Sequence, residues 1–216
     1  TNKIINRGKF SMDFNFNIGN NKNVIKEIDP SIMNQFNDNA AAINNGVYLT
    51  RIQMNNAYGS IYGFRYKGVY SYSYEKFDKA VNEGKTCPVA RDANGNVMYD
   101  YNGKPKQMKY DYLGTNYKFQ GGDAIYEDIN HDGSIDEYDV VYLGNSNPKL
   151  EGGFGTTLRY GSLSFTVFCN FRYGGKIINN ARMSAENMYT DDNQCRTVNW
   201  RWRKEGDETD VPRALY

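Results

Sequence analysis

The sequence predicts an all-β chain: antiparallel strands with long loops, forming part of a β-barrel wall. Three observations predict it. Leu163, Phe165, Val167, Cys169, Phe171 and Tyr173 alternate with Ser164, Thr166, Phe168, Asn170 and Arg172, and successive strand side chains face opposite sides of a sheet. Phe10, Met12, Phe14, Phe16 and Ile18 alternate in the same way with Ser11, Asp13, Asn15 and Asn17. Finally, no run approaches the roughly 18 apolar residues of a membrane-spanning helix, whereas a transmembrane strand needs apolar residues only at every second position.

Taken in order, Asn6-Arg7-Gly8 reads as a turn leading into a wall strand over residues 10–18. From Gly19 to about Asn45 the chain is Asn-rich, with a short helix over Ser31–Ile43. Tyr48–Tyr74 is dense in Tyr and Gly and reads as extended pieces. Tyr74–Val81 puts Phe77, Ala80 and Val81 on one side of a short helix that Gly84 stops. Asn94-Gly95 and Asn102-Gly103 are hairpin turn signals around Val97–Tyr101. Phe154, Thr156, Leu158 and Tyr160 form a less regular alternation, and Gly161-Ser162 joins it to the next strand as a two-residue hairpin over residues 153–173. A strand of that length exceeds the usual 5–6 residues and suits a tilted bilayer crossing of roughly 9–11. A long hairpin in a soluble β-sandwich gives the same alternation.

Residues 121–139 carry a sharper chemical signal. Asp128, Asn130, Asp132, Ser134, Asp136 and Asp139 occupy positions 1, 3, 5, 7, 9 and 12 of a calcium loop, with Gly133 at position 6. A hard dication takes six to eight oxygens, which alternate residues of a curling loop turn inward, and the glycine permits the bend. Position 12 is Asp139 rather than a bidentate Glu, and the flanks GGDAIYE and VVYLGNSNP are not helical. The expectation is a free-standing loop holding Ca²⁺ through Asp128, Asn130, Asp132, Ser134 and Asp139. A solvated acidic turn closed by Asx hydrogen bonds is the alternative.

Composition excludes several classes. Twenty-six basic and 25 acidic residues balance to +1, which leaves no electrostatic footprint for nucleic acid. The cysteines Cys87, Cys169 and Cys195 make no metal pattern. Cys169 falls on the apolar strand face, where a small buried hydrophobe is expected, and Cys87 and Cys195 pair only if their loops meet. The sole histidine, His131, sits inside the acidic loop and reads as a solvated loop residue. No nucleophile elbow, P-loop or HExxH occurs. Glu205 and Asp207 lie close in sequence, but loop spacing says nothing of a glycosidase carboxylate separation. The chain is not expected to be an enzyme. Trp200-Arg201-Trp202-Arg203 reads either as a substrate or partner loop, because indoles stack on sugars and guanidinium forks grip anions, or as a loop-packing cluster.

The run from Asp128 to Asn179, DINHDGSIDEYDVVYLGNSNPKLEGGFGTTLRYGSLSFTVFCNFRYGGKIIN, resembles the late barrel region of SusC/RagA-type TonB-dependent outer-membrane transporters. The order of motifs carries the likeness: a DxNxDGxID loop, an LGNxNPK-like segment, a GGF-led strand, a short turn and a strand running into YGGKIIN. YGSIYGFRYKGVY at Tyr58–Tyr70, and RMSAENMYTDDNQ and VNWRWRKEGDETDVPRA within Arg182–Ala214, extend it over most of the chain. The resemblance implies part of a large plugged transmembrane barrel. Residues 19–152 would be a mainly extracellular excursion carrying the loop 128–139, and residues 174–216 another outer loop. It implies that the signal, the plug domain, the TonB-binding segment and the final strands lie outside this fragment. It also implies a bacterial outer membrane, import of glycan oligosaccharides or peptides, energy from TonB, a SusD-like surface lipoprotein as lid, and lipid around the wall. A secreted, calcium-stabilised β-domain that binds carbohydrate is the competing reading. A fragment of a calcium-supported extracellular hydrolase is a third.

Barrel parity adds a constraint. If the turns at Asn6–Gly8 and Gly161-Ser162 lie at one end, residues 19–152 hold an even number of wall crossings, with none favoured over one extra pair near Ile61–Tyr72 and Lys106–Phe119.

Overall fold

The computed structural model describes residues 2–29, 31, 49–50, 54–188 and 193–214. The helix expected over Ser31–Ile43 falls outside them except for Ser31. In chain order the strands are β1 (Asn2–Arg7), β2 (Phe10–Gly19), β3 (Leu49–Thr50), β4 (Ser60–Gly63), β5 (Tyr66–Val69), β6 (Lys109–Tyr110), β7 (Tyr117–Lys118), β8 (Ala124–Tyr126), β9 (Ser134–Ile135), β10 (Val141–Asn145), β11 (Leu150–Tyr160) and β12 (Leu163–Tyr173). The α-helices are α1 (Phe77–Glu83) and α2 (Asn180–Glu186). The chain divides into two compact units, Thr1–Ile61 with Leu143–Ile177, and Tyr62–Tyr142 with Ile178–Tyr216.

The first unit is built on an antiparallel sheet of order β1-β2-β11-β12. β2 pairs directly with β11, from Phe10↔Tyr160 to Gly19↔Glu151, so no strand of residues 20–149 intervenes. Both tight turns therefore lie at one end, where the Gly161 N–H donates to the Lys9 carbonyl at 2.9 Å. The long excursion leaves and returns at the other end. The two expected long strands are present, and β2 is one residue longer than its alternation indicates.

β1 is a strand that the alternation did not show. Its register slips between Lys3 and Ile5, and a bulge of this kind breaks the period of two that marks a strand in sequence. The expected turn at Asn6-Arg7-Gly8 is correspondingly displaced: Arg7 still pairs with Phe10, and only Gly8 and Lys9 turn the chain.

Registry gathers the side chains into two faces. One holds Phe10, Met12, Phe14, Phe16 and Ile18, then Phe154, Thr156, Leu158 and Tyr160, then Leu163, Phe165, Val167, Cys169, Phe171 and Tyr173. The other holds Ser11, Asp13, Asn15 and Asn17, Glu151, Thr157 and Arg159, and Ser164, Thr166, Asn170 and Arg172. On this polar face Arg159 Nη1 meets Asp13 Oδ2 at 3.3 Å and Thr157 Oγ1 meets Thr166 Oγ1 at 3.1 Å. Thr156, the hydroxyl on the apolar face, turns its Oγ1 back onto the Asp13 carbonyl at 3.1 Å, so its donor is satisfied without water.

Phe168 breaks the parity by standing on the polar face. Side-chain carbons there would come within 3.2 Å of its ring from Gly153 and 2.8 Å from Gly155. The ring thus fills the space that two facing glycines leave empty, the cross-strand device that compensates glycine in a strand.

The second unit packs two small cores. Tyr70, Ala90, Met108, Phe119 and Ile135 form one, with Phe64, Met98, Tyr110, Ile125 and Tyr126 against it. Tyr72, Ala80, Cys87 and Val89 form the other. Edge-on aromatic pairs such as Phe64–Tyr112, with ring centroids 5.2 Å apart, bind the first core. Part of the tyrosine content thus serves packing. Helix α1 follows a 3₁₀ turn at Tyr74–Lys76 and ends at Gly84, the expected stop; Ala80 is buried, but Val81, expected on the same side, is exposed. β6 and β9 pair in parallel, an exception to the antiparallel rule confined to two residues.

Residues 89–107 hold an arrangement that the two Asn-Gly turns announce only in part. An eight-residue repeat makes Val89-Ala90-Arg91, Val97-Met98-Tyr99 and Pro105-Lys106-Gln107 equivalent, the first two followed by Asp-x-Asn-Gly. Instead of a simple hairpin, three arms close into a triangle through bridges Val89↔Gln107, Arg91↔Val97 and Tyr99↔Pro105. Their central residues form a ring. The Ala90 N–H donates to the Lys106 carbonyl (2.9 Å), Lys106 N–H to Met98 (2.8 Å) and Met98 N–H to Ala90 (2.9 Å). At two corners a carboxylate holds the turn: Asp92 accepts from the Asn94 and Asn96 N–H groups, and Asp100 from those of Asn102 and Lys104.

Candidate functional site

The acidic loop curls as its spacing requires. The two oxygens of Asp128 accept the N–H groups of Asp132 (3.3 Å) and Gly133 (2.8 Å). Asp132 Oδ1 accepts from the Ser134 N–H at 2.7 Å and its Oδ2 from Asn130 Nδ2 at 2.9 Å. Gly133 has φ of +81°, a conformation glycine adopts without steric penalty, and a side chain there would lie 2.8 Å from Ala90 Cβ. His131 is exposed, with φ of +57°. The loop runs into β9, which is fixed on the core by Ile135, fully buried.

Asp139 is also fully buried. Its oxygens accept the N–H groups of Ile129 (2.7 Å) and Asp136 (2.9 Å), tying the start of the loop to its end. Asp136 reciprocates by capping the 3₁₀ turn Glu137–Asp139. Burial pushes the Asp139 carboxyl above its ordinary range, while the two backbone bonds pull it down. Among the described residues, no three His, Cys, Asp or Glu side chains converge as a metal cluster. A cation here would draw also on Asn130 and on carbonyls. The donors are all oxygen, and a carboxylate oxygen bonded to one N–H keeps a lone pair for a hard ion.

The Trp200–Arg203 segment splits by orientation. Trp200 is 59% exposed, with the Arg196 guanidinium over its ring at 5.9 Å. Trp202 turns inward: its Nε1 donates to the Ser71 carbonyl (3.1 Å), and its ring occupies the space where a Gly122 side chain would stand, 2.4 Å from Cε3. Arg201 bonds the Val198 carbonyl and Arg203 that of Asn199. Half of the segment is therefore a packing anchor, and Trp200 is the indole that faces outward.

Glu205 and Asp207 are not presented to a common substrate. Glu205 accepts from the Ser73 N–H (2.9 Å) and Oγ (2.5 Å), and Asp207 Oδ2 accepts the N–H groups of Arg203 and Lys204. Both carboxylates serve the backbone.

Two polar locks escaped sequence reasoning, one because it joins residues 90 apart in the chain and the other because it joins a helix to a turn across an intervening segment. Buried Asp123 accepts from Arg213 Nε (2.8 Å), Tyr117 Oη (2.7 Å) and the Gln120 N–H (2.7 Å), fastening residues 211–214 to the core. Glu186 on α2 accepts from Thr197 Oγ1 (2.6 Å) and Arg182 Nε (2.9 Å), fastening the 3₁₀ turn Arg196–Trp200. The Thr197 hydrogen bond first, and then the hydrogen bond and charge of Arg182, hold the Glu186 carboxyl below its usual range. A folded pKa below the unfolded one gives stability that is present above about pH 4.3 and lost as pH falls through the lower folded value. Acidification below pH 4 is thus expected to loosen residues 195–200. Hydrogen exchange of that peptide should rise in the native chain and lose this pH dependence in Glu186→Gln.

Of the cysteine expectations, the one for Cys169 needs correction. Cys87 is buried and Cys195 half-buried, and both are free thiols. Cys169 is exposed rather than buried, because no element of its unit among the described residues covers the β12 face that carries it.

No protein-family model matches the chain. It is 27% identical over 220 aligned positions, 97% of its length, to TonB-dependent receptor P39 of Formosa agariphila, of which it covers 20%. It is 34% identical over 96 positions, 43% of its length, to TonB-dependent receptor P26 of the same organism, of which it covers 9%. The chain thus spans about a fifth, or less, of the length of these relatives.

Proposed function

We propose that this chain is a stretch of wall and outer loops in a TonB-dependent transporter of the bacterial outer membrane, of the SusC/RagA type. One observation carries the reading: an apolar face runs across β2, β11 and β12, and among the described residues of its unit no layer is packed on it. Phe16 is 57% exposed, Phe165 62%, Tyr160 63% and Tyr173 71%. A soluble domain does not leave such a face to water, and a β-sandwich would bury it under a second sheet. Tyr160 and Tyr173 stand at opposite ends of the face, where a barrel places its aromatic girdles. Eleven residues at ~3.3 Å each, tilted by about 45°, rise roughly 25 Å, the height of the lipid-facing band. Tight turns at one end and long segments at the other follow the short periplasmic turns and longer outer loops of such barrels. The similarity to proteins named TonB-dependent receptors supports the same location and favours transport over catalysis.

In this reading the sheet edges at β1 and β12 pair with strands elsewhere in the polypeptide, since an open edge is not viable in lipid. The excursion projects outward, where it meets a SusD-like lid and an incoming oligosaccharide or peptide, with Trp200 offered to either. TonB acts through other parts of the polypeptide. The acidic loop takes Ca²⁺ as a structural ion. Millimolar calcium is expected to slow hydrogen exchange over residues 128–139, and an unchanged rate would remove the ion from the reading.

The test is the denatured mass of the whole polypeptide together with its fractionation. A chain several times larger than 24.8 kDa, released from outer-membrane extracts only by detergent, is the expected result. A soluble, folded species near that mass would instead leave an extracellular β-domain.

A further inference from the structure

We propose that Lys106 is the resident cation of the acidic loop, delivered to it by the three-armed triangle of residues 89–107. The triangle's own repeat singles it out. At equivalent central positions the arms carry Ala90, fully buried, Met98, packed on the core, and Lys106. An ammonium in a place that otherwise suits small or apolar side chains is costly unless it finds a partner.

Its partner is the loop. The Lys106 stem passes over Gly133, with Cε 3.1 Å and Cδ 3.3 Å from where a side chain at Gly133 would begin. The ammonium then donates to the Asp132 carbonyl. Gly133 therefore has two roles, the sharp bend and room for this lysine. The loop needs a positive charge, since Asp128, Asp132, Asp136 and Asp139 lie within twelve residues. Among the described residues no Lys or Arg, Lys106 included, forms a side-chain ion pair with any of them, and the Lys106 ammonium reaches the loop through the Asp132 carbonyl. Backbone N–H groups meet their oxygens, and Lys106 adds one positive charge bonded to the loop's own backbone.

The consequence is a loop that the ammonium keeps closed without a divalent ion, and that calcium, where bound, protects further. This inference does not rest on the barrel reading and is separable from the calcium reading. The test is hydrogen exchange of residues 128–139 in the full-length polypeptide in detergent, with EDTA or with millimolar calcium. With EDTA the native loop is expected to remain protected. Lys106→Met keeps the stem and removes the charge, so the Gly133 and Ser134 amides should exchange about tenfold faster, the scale of one charge-assisted hydrogen bond. Lys106→Arg should keep protection.

If Lys106→Met opens the loop and calcium restores it, both readings stand. If it opens and calcium does not restore it, Lys106 stands and the metal does not. A loop in Lys106→Met as protected as the native one under EDTA overturns the proposal, as does a native loop that opens under EDTA alone. Should Lys106→Met also release the Ala90 and Met98 amides of the ring, Lys106→Arg decides: native protection supports the proposal and loss of protection overturns it.

Discussion

Replacing Val167 by arginine is expected to prevent stable assembly of the protein in the outer membrane, at a cost of about 2–4 kcal/mol. Val167 lies midway along β12, opposite Thr156 of β11, on the apolar face. In lipid, a guanidinium at mid-height must be dragged from water or must thin the bilayer around itself. Thr166 is the adjacent residue and faces the other way, beside Thr157. Thr166→Arg should therefore cost little, because in the proposed barrel the polar face meets a wet lumen. The readout is the amount of heat-modifiable, detergent-extracted protein for each variant. Equal assembly of the two variants would mean that the faces do not differ in solvent, and the membrane reading would fail. Val167→Leu, which preserves apolar character, serves as the tolerated control.

Asp139→Ala should open the acidic loop, destabilising it by about 1–3 kcal/mol, because two backbone N–H groups lose at once the buried carboxylate that accepts from them. The Ile129 and Asp136 N–H groups would then have to turn to water, and the link from the start of the loop to its end would be lost. Asp139→Asn retains one acceptor and should cost roughly half as much. Faster exchange at the Ile129 and Asp136 amides, with the Ala90–Met98 ring unaffected, is the expected pattern. Unchanged exchange at those two amides would show that the loop closes by other means. The raised pKa of Asp139 sets the pH behaviour. A carboxyl whose folded pKa is raised stabilises most below its unfolded value of about 3.9, and that contribution declines as pH rises through the folded one. A bound divalent cation would oppose this decline by favouring the charged form.

Much of the first unit was legible because a strand with two different solvents on its faces writes that difference into every second residue. Strands β2 and β12 followed from this alone, and β11 less cleanly, three residues short of its start at Leu150. β1 did not, because one bulge shifts the phase. The acidic loop was visible through a fixed oxygen spacing. Cys169 was misplaced because the alternation reveals that a face is apolar, without revealing whether protein covers it.

What the sequence determined by itself was local: strand faces, the helix stop at Gly84, the turn residues and the loop's oxygen donors. These depend on steric and solvation preferences acting over a few residues. The tertiary structure alone decided that β2 and β11 are neighbours despite the long excursion between them. It decided that Trp202 packs inward while Trp200 does not. It also joined Asp123 to Arg213 and carried Lys106 to the acidic loop. Such contacts form between groups far apart in the chain, and nothing in the residues near either partner records which distant group it will meet.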